Sequence, residues 1–155
     1  MRKLLFLDVD GVLNSHAWWD RRPKLEPGHS REEFKKNEFD PEAVKILHKI
    51  LRETDAMVVL SSVWRLHEES RKDVEKYARI RFTVTGESDC RIRGCEIKQW
   101  IDKNVPYKER GELRYAILDD DSDMLLWQKD DFFQTDHKIG LTNEIAERVI
   151  AHLNR

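Results

Sequence analysis

Short apolar runs alternate with longer amphipathic stretches along this chain. The first run, Lys3 to Leu7 (KLLFL), stays apolar until Asp8, the signature of a strand buried on both faces. Ala56 to Leu60 (AMVVL) is a second such run, ending at Ser61. Arg81 to Thr85 (RFTVT) alternates and is β-branched, which predicts a weaker third strand. Tyr115 to Leu118 (YAIL) predicts a fourth, running into three aspartates, and Phe132 to Thr135 a fifth. Helical spacing fills the intervals. Asp40 is a suitable N-cap and Pro41 a suitable first residue for a helix whose inner stripe is Val44, Leu47, Ile50 and Leu51. Residues 67–79 and 94–103 read as helices with Val74, Tyr77 and Ala78, then Ile97, Trp100 and Ile101, facing inward. Residues 123–129 read as a short helix. Thr142 caps a last one, with Ile145, Ala146, Val149, Ile150 and Leu153 as its stripe.

Strands alternating with helices predict a three-layer, doubly wound α/β fold around a five-stranded parallel sheet. Strand order 3-2-1-4-5 would bring the polar ends of strands one, two and four together, at the carboxyl edge where such sheets bind ligands. The length of 155 residues suits a single domain, 1–155, with one core and no cap domain. Residues 14–40 are polar and irregular, with Pro23, Pro27 and Gly28, and read as an active-site loop insertion with a short helix near 31–36.

Charge narrows the function classes. The chain has 28 basic and 30 acidic residues, a net charge of −2, so no overall field favours nucleic acid or membrane. No apolar stretch is long enough to span a bilayer, and the N-terminal apolar run is too short for a secretory signal. A cytoplasmic location is the expectation. Cys90 and Cys95 lack zinc partners at ligand spacing and read as reduced thiols.

The chemistry concentrates at three strand ends. Asp8 and Asp10, two residues apart as a strand leaves the sheet, can face one site: a carboxylate can attack phosphorus, and a second can protonate the leaving oxygen. Gly11 permits the tight turn that aims them. A calcium loop of the EF-hand kind would need further ligands and flanking helices, whereas an apolar strand comes first here. After the second strand, Ser61 and Ser62 can hold a phosphate oxygen through hydroxyl or main-chain N–H groups, although serine there is often only the start of a loop. After the fourth, Asp119, Asp120, Asp121 and Asp123 repel one another unless a cation lies among them. Magnesium is the obvious cation, while Asp121 and Asp123 also suit a helix N-terminus. Arg91, Arg93 and Lys98 are candidates for the charge that neutralises a phosphoryl group. Arg93 is the better placed, because Lys98 lies about one turn, ~6 Å, further from the rim.

In that order the motifs LDVDGV, VVLSS and ILDDDSD resemble the haloacid dehalogenase-like (HAD) phosphatases over almost the whole chain. The third motif departs from the family, with an arginine where a lysine is usual. SSVWR at 61–65, RGCEIKQW at 93–100 and YAILDD at 115–120 are similar to the capless phosphatase parts of polynucleotide kinase-phosphatases, which repair nucleic-acid ends. The resemblance implies a phosphomonoesterase working through an aspartyl-phosphate. Asp8 would be the nucleophile, Asp10 the acid/base and Ser61 a phosphate binder. Magnesium would be held by Asp8, the Asp10 main-chain carbonyl and Asp120, with Asp119 a further candidate ligand.

Without a cap, an open site suits a phosphate on something large, such as a nucleic-acid 3′-phosphate end or a nucleotide. Arg21, Arg22, Lys24, Arg65 and Arg91 are candidate rim cations, and Trp18 or Trp19 could stack on a base unless one closes the loop against the body. The competing expectations are a protein or small-metabolite phosphatase and, in another class, a non-catalytic phosphate-binding module. Receiver modules share the sheet but place a phosphorylated Asp after the third strand and a Lys after the fifth, which this chain does not.

Overall fold

The computed structural model describes residues 2–155. In chain order the elements are β1 (Lys3–Leu7), α1 (His16–Arg21), α2 (Arg31–Lys36), α3 (Pro41–Thr54), β2 (Met57–Leu60), α4 (Glu68–Tyr77), β3 (Phe82–Val84), α5 (Arg93–Asn104), β4 (Arg114–Asp119), β5 (Phe132–Gln134) and α6 (Asn143–Leu153). Single 3₁₀ turns lie at Val63–Leu66, Tyr107–Glu112 and Leu126–Gln128. The five strands form one all-parallel sheet in the order β3-β2-β1-β4-β5, as the strand-end argument requires.

The pleat of β1 explains the three layers. Leu5 and Leu7 point into a core with α3, α4 and α6, through Val44, Leu47, Ile50, Val74, Ala146, Val149 and Leu153. Leu4 and Phe6 point the other way, onto Ile97 and Trp100 of α5. Both faces are covered, so after Lys3 at its start β1 carries no polar position until it leaves the sheet. Among the described residues there is no cap domain, and none of the described helices is long and apolar enough to cross a membrane.

The helix starts follow the local chemistry. Asp40 caps α3 by accepting from the Glu42 N–H (3.0 Å), with Pro41 behind it. Thr142 caps α6 by accepting from Ile145. The 14–40 segment is more ordered than the loop expected. Besides the helix at 31–36, it holds α1, capped by Ser15, whose hydroxyl accepts from the Trp18 N–H. Its anchors are distant in sequence: Trp18 is buried and donates to the Asn37 carbonyl (3.0 Å), and Arg31 pairs with Asp73 of α4 (3.0 Å). Local periodicity cannot register such partners. The expected helix at 123–129 shrinks to the 3₁₀ turn at Leu126–Gln128.

Candidate active site

The ladder runs one residue past each central strand and sets three functional side chains abreast. Asp8 N–H donates to the Leu118 carbonyl and Ser61 N–H to the Leu7 carbonyl, both at 2.9 Å, while Thr135 N–H donates to the Asp119 carbonyl at 3.0 Å. Asp8 therefore sits between Ser61 and Asp119 at the carboxyl edge. Asp8, Asp119 and Asp120 each offer a carboxylate oxygen, and these three atoms lie within 4.8 Å of one another.

Such crowding leaves an electrostatic mark. Burial pushes the Asp8 carboxyl up to about 6, against a hydrogen bond from Ser62 and the Arg93 charge, which favour the anion. Burial, then the Asp8 charge, push Asp119 up to about 8. Asp120, half-exposed, is also raised, chiefly by burial. Asp119 Oδ1 accepts from the Asp121 N–H (3.0 Å), but its buried Oδ2 has no hydrogen-bond partner. A divalent cation fits this donor set: three hard oxygen donors, mutually repelling, one of them buried without a hydrogen bond. The Asp10 carboxylate stands apart from the cluster, because Asn14 and Trp64 hold its two oxygens at 2.9 and 3.0 Å.

Gly11 has φ +76° and no room for a side chain, since a Cβ would overlap the Asp120 carboxylate. Its carbonyl accepts from the Thr135 hydroxyl (2.8 Å) and its N–H donates to Asn14 Oδ1 (3.0 Å). The loop after β1 is thus tied to the loop after β5.

Of the three candidate cations, Arg93 reaches the site. Its Nε lies 3.5 Å from Asp119 Oδ2, and its Nη1 is 2.9 Å from Glu96 Oε2. Lys98 is exposed and pairs with Asp102 on its own helix. Arg91 is exposed, with left-handed φ of 51°, and lines a cleft of about 570 Å³ with Val63, Leu66, Arg93 and Asp123. The α5 N-terminus is held from across the site: Asp123 Oδ2 accepts from the Arg93 N–H (2.9 Å), and Gly94 lies so close to Leu125 and Gln128 that a side chain would clash. Asp123 therefore caps α5 instead of a helix of its own. Cys90 and Cys95, expected as reduced thiols, face one another across this turn, their Cα atoms 6.7 Å apart. The turn at Arg91, not their spacing in the chain, brings them together.

Arg65 lines the floor of the same cleft. It is buried, donating through Nη2 to Glu96 Oε1 (2.9 Å) and through Nη1 to the Ser62 carbonyl (2.8 Å). Trp18 is also built into the body rather than offered to a base, and Arg21 and Arg22 are engaged nearby with Asp40 and with the Trp19 ring. Ser61 is fully buried with its hydroxyl unpartnered, and the Ser62 hydroxyl, also buried, accepts from the Trp64 N–H (3.4 Å). Sequence reasoning missed Asn14, Trp64 and Glu96 as site residues. Trp64 and Glu96 lie within the family-like strings, but their partners are 54 and 31 residues away for Asp10 and Arg65 respectively.

The family model for the HAD domain in Swiss Army Knife RNA repair proteins matches residues 4–146. No curated protein matches the chain.

Proposed function

Because the chain belongs to the family of HAD domains in Swiss Army Knife RNA repair proteins, we propose that it is a magnesium-dependent phosphomonoesterase that works through an aspartyl-phosphate on Asp8. The observation that carries this reading is the meeting of Asp8, Asp119 and Asp120 oxygens within 4.8 Å, with Arg93 beside them.

An Asp8 carboxylate oxygen attacks phosphorus and the bond from phosphorus to the leaving oxygen breaks. Asp10 gives its proton to that oxygen. In the second step Asp10 takes a proton from water, which attacks phosphorus and releases inorganic phosphate and free Asp8. Arg93 offsets charge on the phosphoryl oxygens. Ser61 and Ser62 supply hydroxyl and main-chain donors at the same edge. Asp8, the Asp10 carbonyl and Asp120, backed by Asp119, would hold magnesium, which when bound supplies positive charge to the nucleophile and the phosphoryl group.

The preferred substrate class is a phosphorylated nucleic-acid end, a 3′-phosphate above all, or a nucleotide. The open edge, the family's occurrence in RNA repair proteins and the Arg91 cleft support this. A screen of phosphomonoesters, including 3′- and 5′-phosphorylated oligonucleotides, tests both parts. Wild type with magnesium should turn over at least the generic ester, and Asp8→Asn should not. No turnover of any ester by wild type would favour a phosphate-binding module. A preference for sugar phosphates that salt does not change would remove the nucleic-acid part alone.

A further inference from the structure

The carboxylate of Asp10 is exposed, yet its orientation is defined. Trp64 Nε1–H donates to Oδ2 at 3.0 Å, and Asn14 Nδ2–H donates to Oδ1 at 2.9 Å. The two donors come from different parts of the fold, one after β2 and one after β1, so together they fix the plane of the carboxylate as well as its direction.

Each donor is itself locked. The Trp64 ring packs edge-on against buried Phe39, centroids 5.3 Å apart, at the margin of the main core, with Lys35 Nζ over the ring, 5.5 Å from its centroid. Asn14 is buried, and its Oδ1 accepts from the Gly11 N–H at 3.0 Å, which fixes the amide so that Nδ2 faces Asp10. An exposed aspartate not held in this way samples several rotamers. A proton donor must meet the leaving oxygen in one geometry, and misplacement by an ångström costs rate even when binding is unchanged.

Building on the phosphatase reading above, we infer that Trp64, with Asn14, is a positioning residue for the acid/base Asp10, its indole N–H aiming the carboxyl at the leaving-group oxygen. Trp64 does not touch the reacting atoms. It acts through Asp10, and its contribution grows with the need of the leaving group for a proton. The indole N–H is the part that matters; the ring's packing on Phe39 is a separate, structural contribution that phenylalanine can largely keep.

The test is a leaving-group series on the full chain with magnesium, from p-nitrophenyl phosphate through phenyl phosphate to an alkyl phosphate. Trp64→Phe removes the N–H and keeps an aromatic ring. Turnover of the alkyl and phenyl esters should fall ~10–100-fold, a part of the 10²–10⁴ that proton transfer typically contributes, while p-nitrophenyl phosphate falls only about two- to threefold. Asn14→Ala should steepen the leaving-group dependence in the same direction. In the Asp10→Asn background, Trp64→Phe should cause no further change in that dependence, because the group it positions can no longer carry the proton. Circular dichroism and thermal melts of each variant separate misfolding from misplacement: lost fold lowers every ester alike. A uniform fall across the series, or a full additional effect of Trp64→Phe in Asp10→Asn, overturns the positioning role alone. A wild type that hydrolyses none of the esters, or an Asp8→Asn that hydrolyses them equally well, overturns the phosphatase reading and the positioning role with it.

Discussion

Gly11 and Asp120 occupy one another's space: a Cβ on Gly11 would fall 2.8 Å from the Asp120 Cβ and closer still to its carboxylate. The glycine also holds φ at +76°, which an L-residue adopts only with strain. The carboxylate could swing away, but it would then leave the cluster it shares with Asp8 and Asp119. Gly11→Ala is therefore expected to weaken magnesium activation at least ~10-fold and to cost about 1 kcal/mol or more of stability. Magnesium titration of activity, alongside a denaturant melt, checks both. Wild-type magnesium dependence in Gly11→Ala would show that Asp120 is not a ligand.

Arg93 and Lys98 are predicted to behave oppositely. Arg93→Ala removes the cation 3.5 Å from Asp119 and should lower kcat/KM by ~10²-fold or more. Lys98→Ala removes an exposed pair with Asp102 and should change activity less than about twofold and stability by under ~0.5 kcal/mol. Steady-state kinetics of the two variants suffice. A large loss in Lys98→Ala would reassign the third motif.

Arg65→Ala should damage the fold more than substrate choice. It leaves Glu96 with one cationic partner and removes the brace on the Ser62 carbonyl. Breaking a buried pair typically costs ~3–5 kcal/mol, so a marked fall in Tm is expected. Turnover of an oligonucleotide 3′-phosphate and of an aryl phosphate should fall together. Selective loss of the oligonucleotide would return Arg65 to the substrate.

The carboxylate cluster predicts a pH trend. Folding holds Asp8 at about 6 and Asp119 at about 8, above the ordinary 3.8, so the folded protein binds more protons than the unfolded chain over this interval. The stability these groups contribute is fully present below the unfolded value and is lost as pH rises through the folded ones. In chelator, Tm should fall between about pH 5 and pH 8 more for wild type than for Asp119→Asn, whose amide does not titrate. Magnesium should raise wild-type Tm most near pH 8, where the carboxylates are charged. Parallel Tm curves for the two proteins would contradict the electrostatic reading of the cluster.

Arg91 is the basic residue that remains exposed beside the Arg93 cleft, and it is the better test of substrate class than Arg65. Arg91→Ala should reduce turnover of a phosphorylated oligonucleotide roughly 5- to 20-fold while a small aryl phosphate changes less than about twofold, since only the larger substrate carries a second phosphate to meet it. Raising salt should reproduce the same asymmetry in wild type. Equal effects on both substrates would exclude Arg91 from substrate recognition.

Asp8, Ser61 and Asp119 could be assigned to one edge from sequence, because a parallel strand buried on both faces must be apolar until it exits. The polar residue that closes each of KLLFLD, MVVLS and YAILD therefore marks where that strand leaves the sheet. Strand order followed from requiring those exits to be neighbours, and the helix starts at Asp40 and Thr142 from side chains that cap within three residues. The roles of Arg65, Trp18, Trp64 and Glu96 could not be read that way. An arginine after a strand looks the same whether it faces solvent or Glu96, and a tryptophan looks the same whether it waits for a base or holds Asp10. Only the packing of α5 against the loop after β2, and of Trp64 on Phe39, decided between them, since burial and hydrogen-bond partners of these side chains depend on segments tens of residues apart.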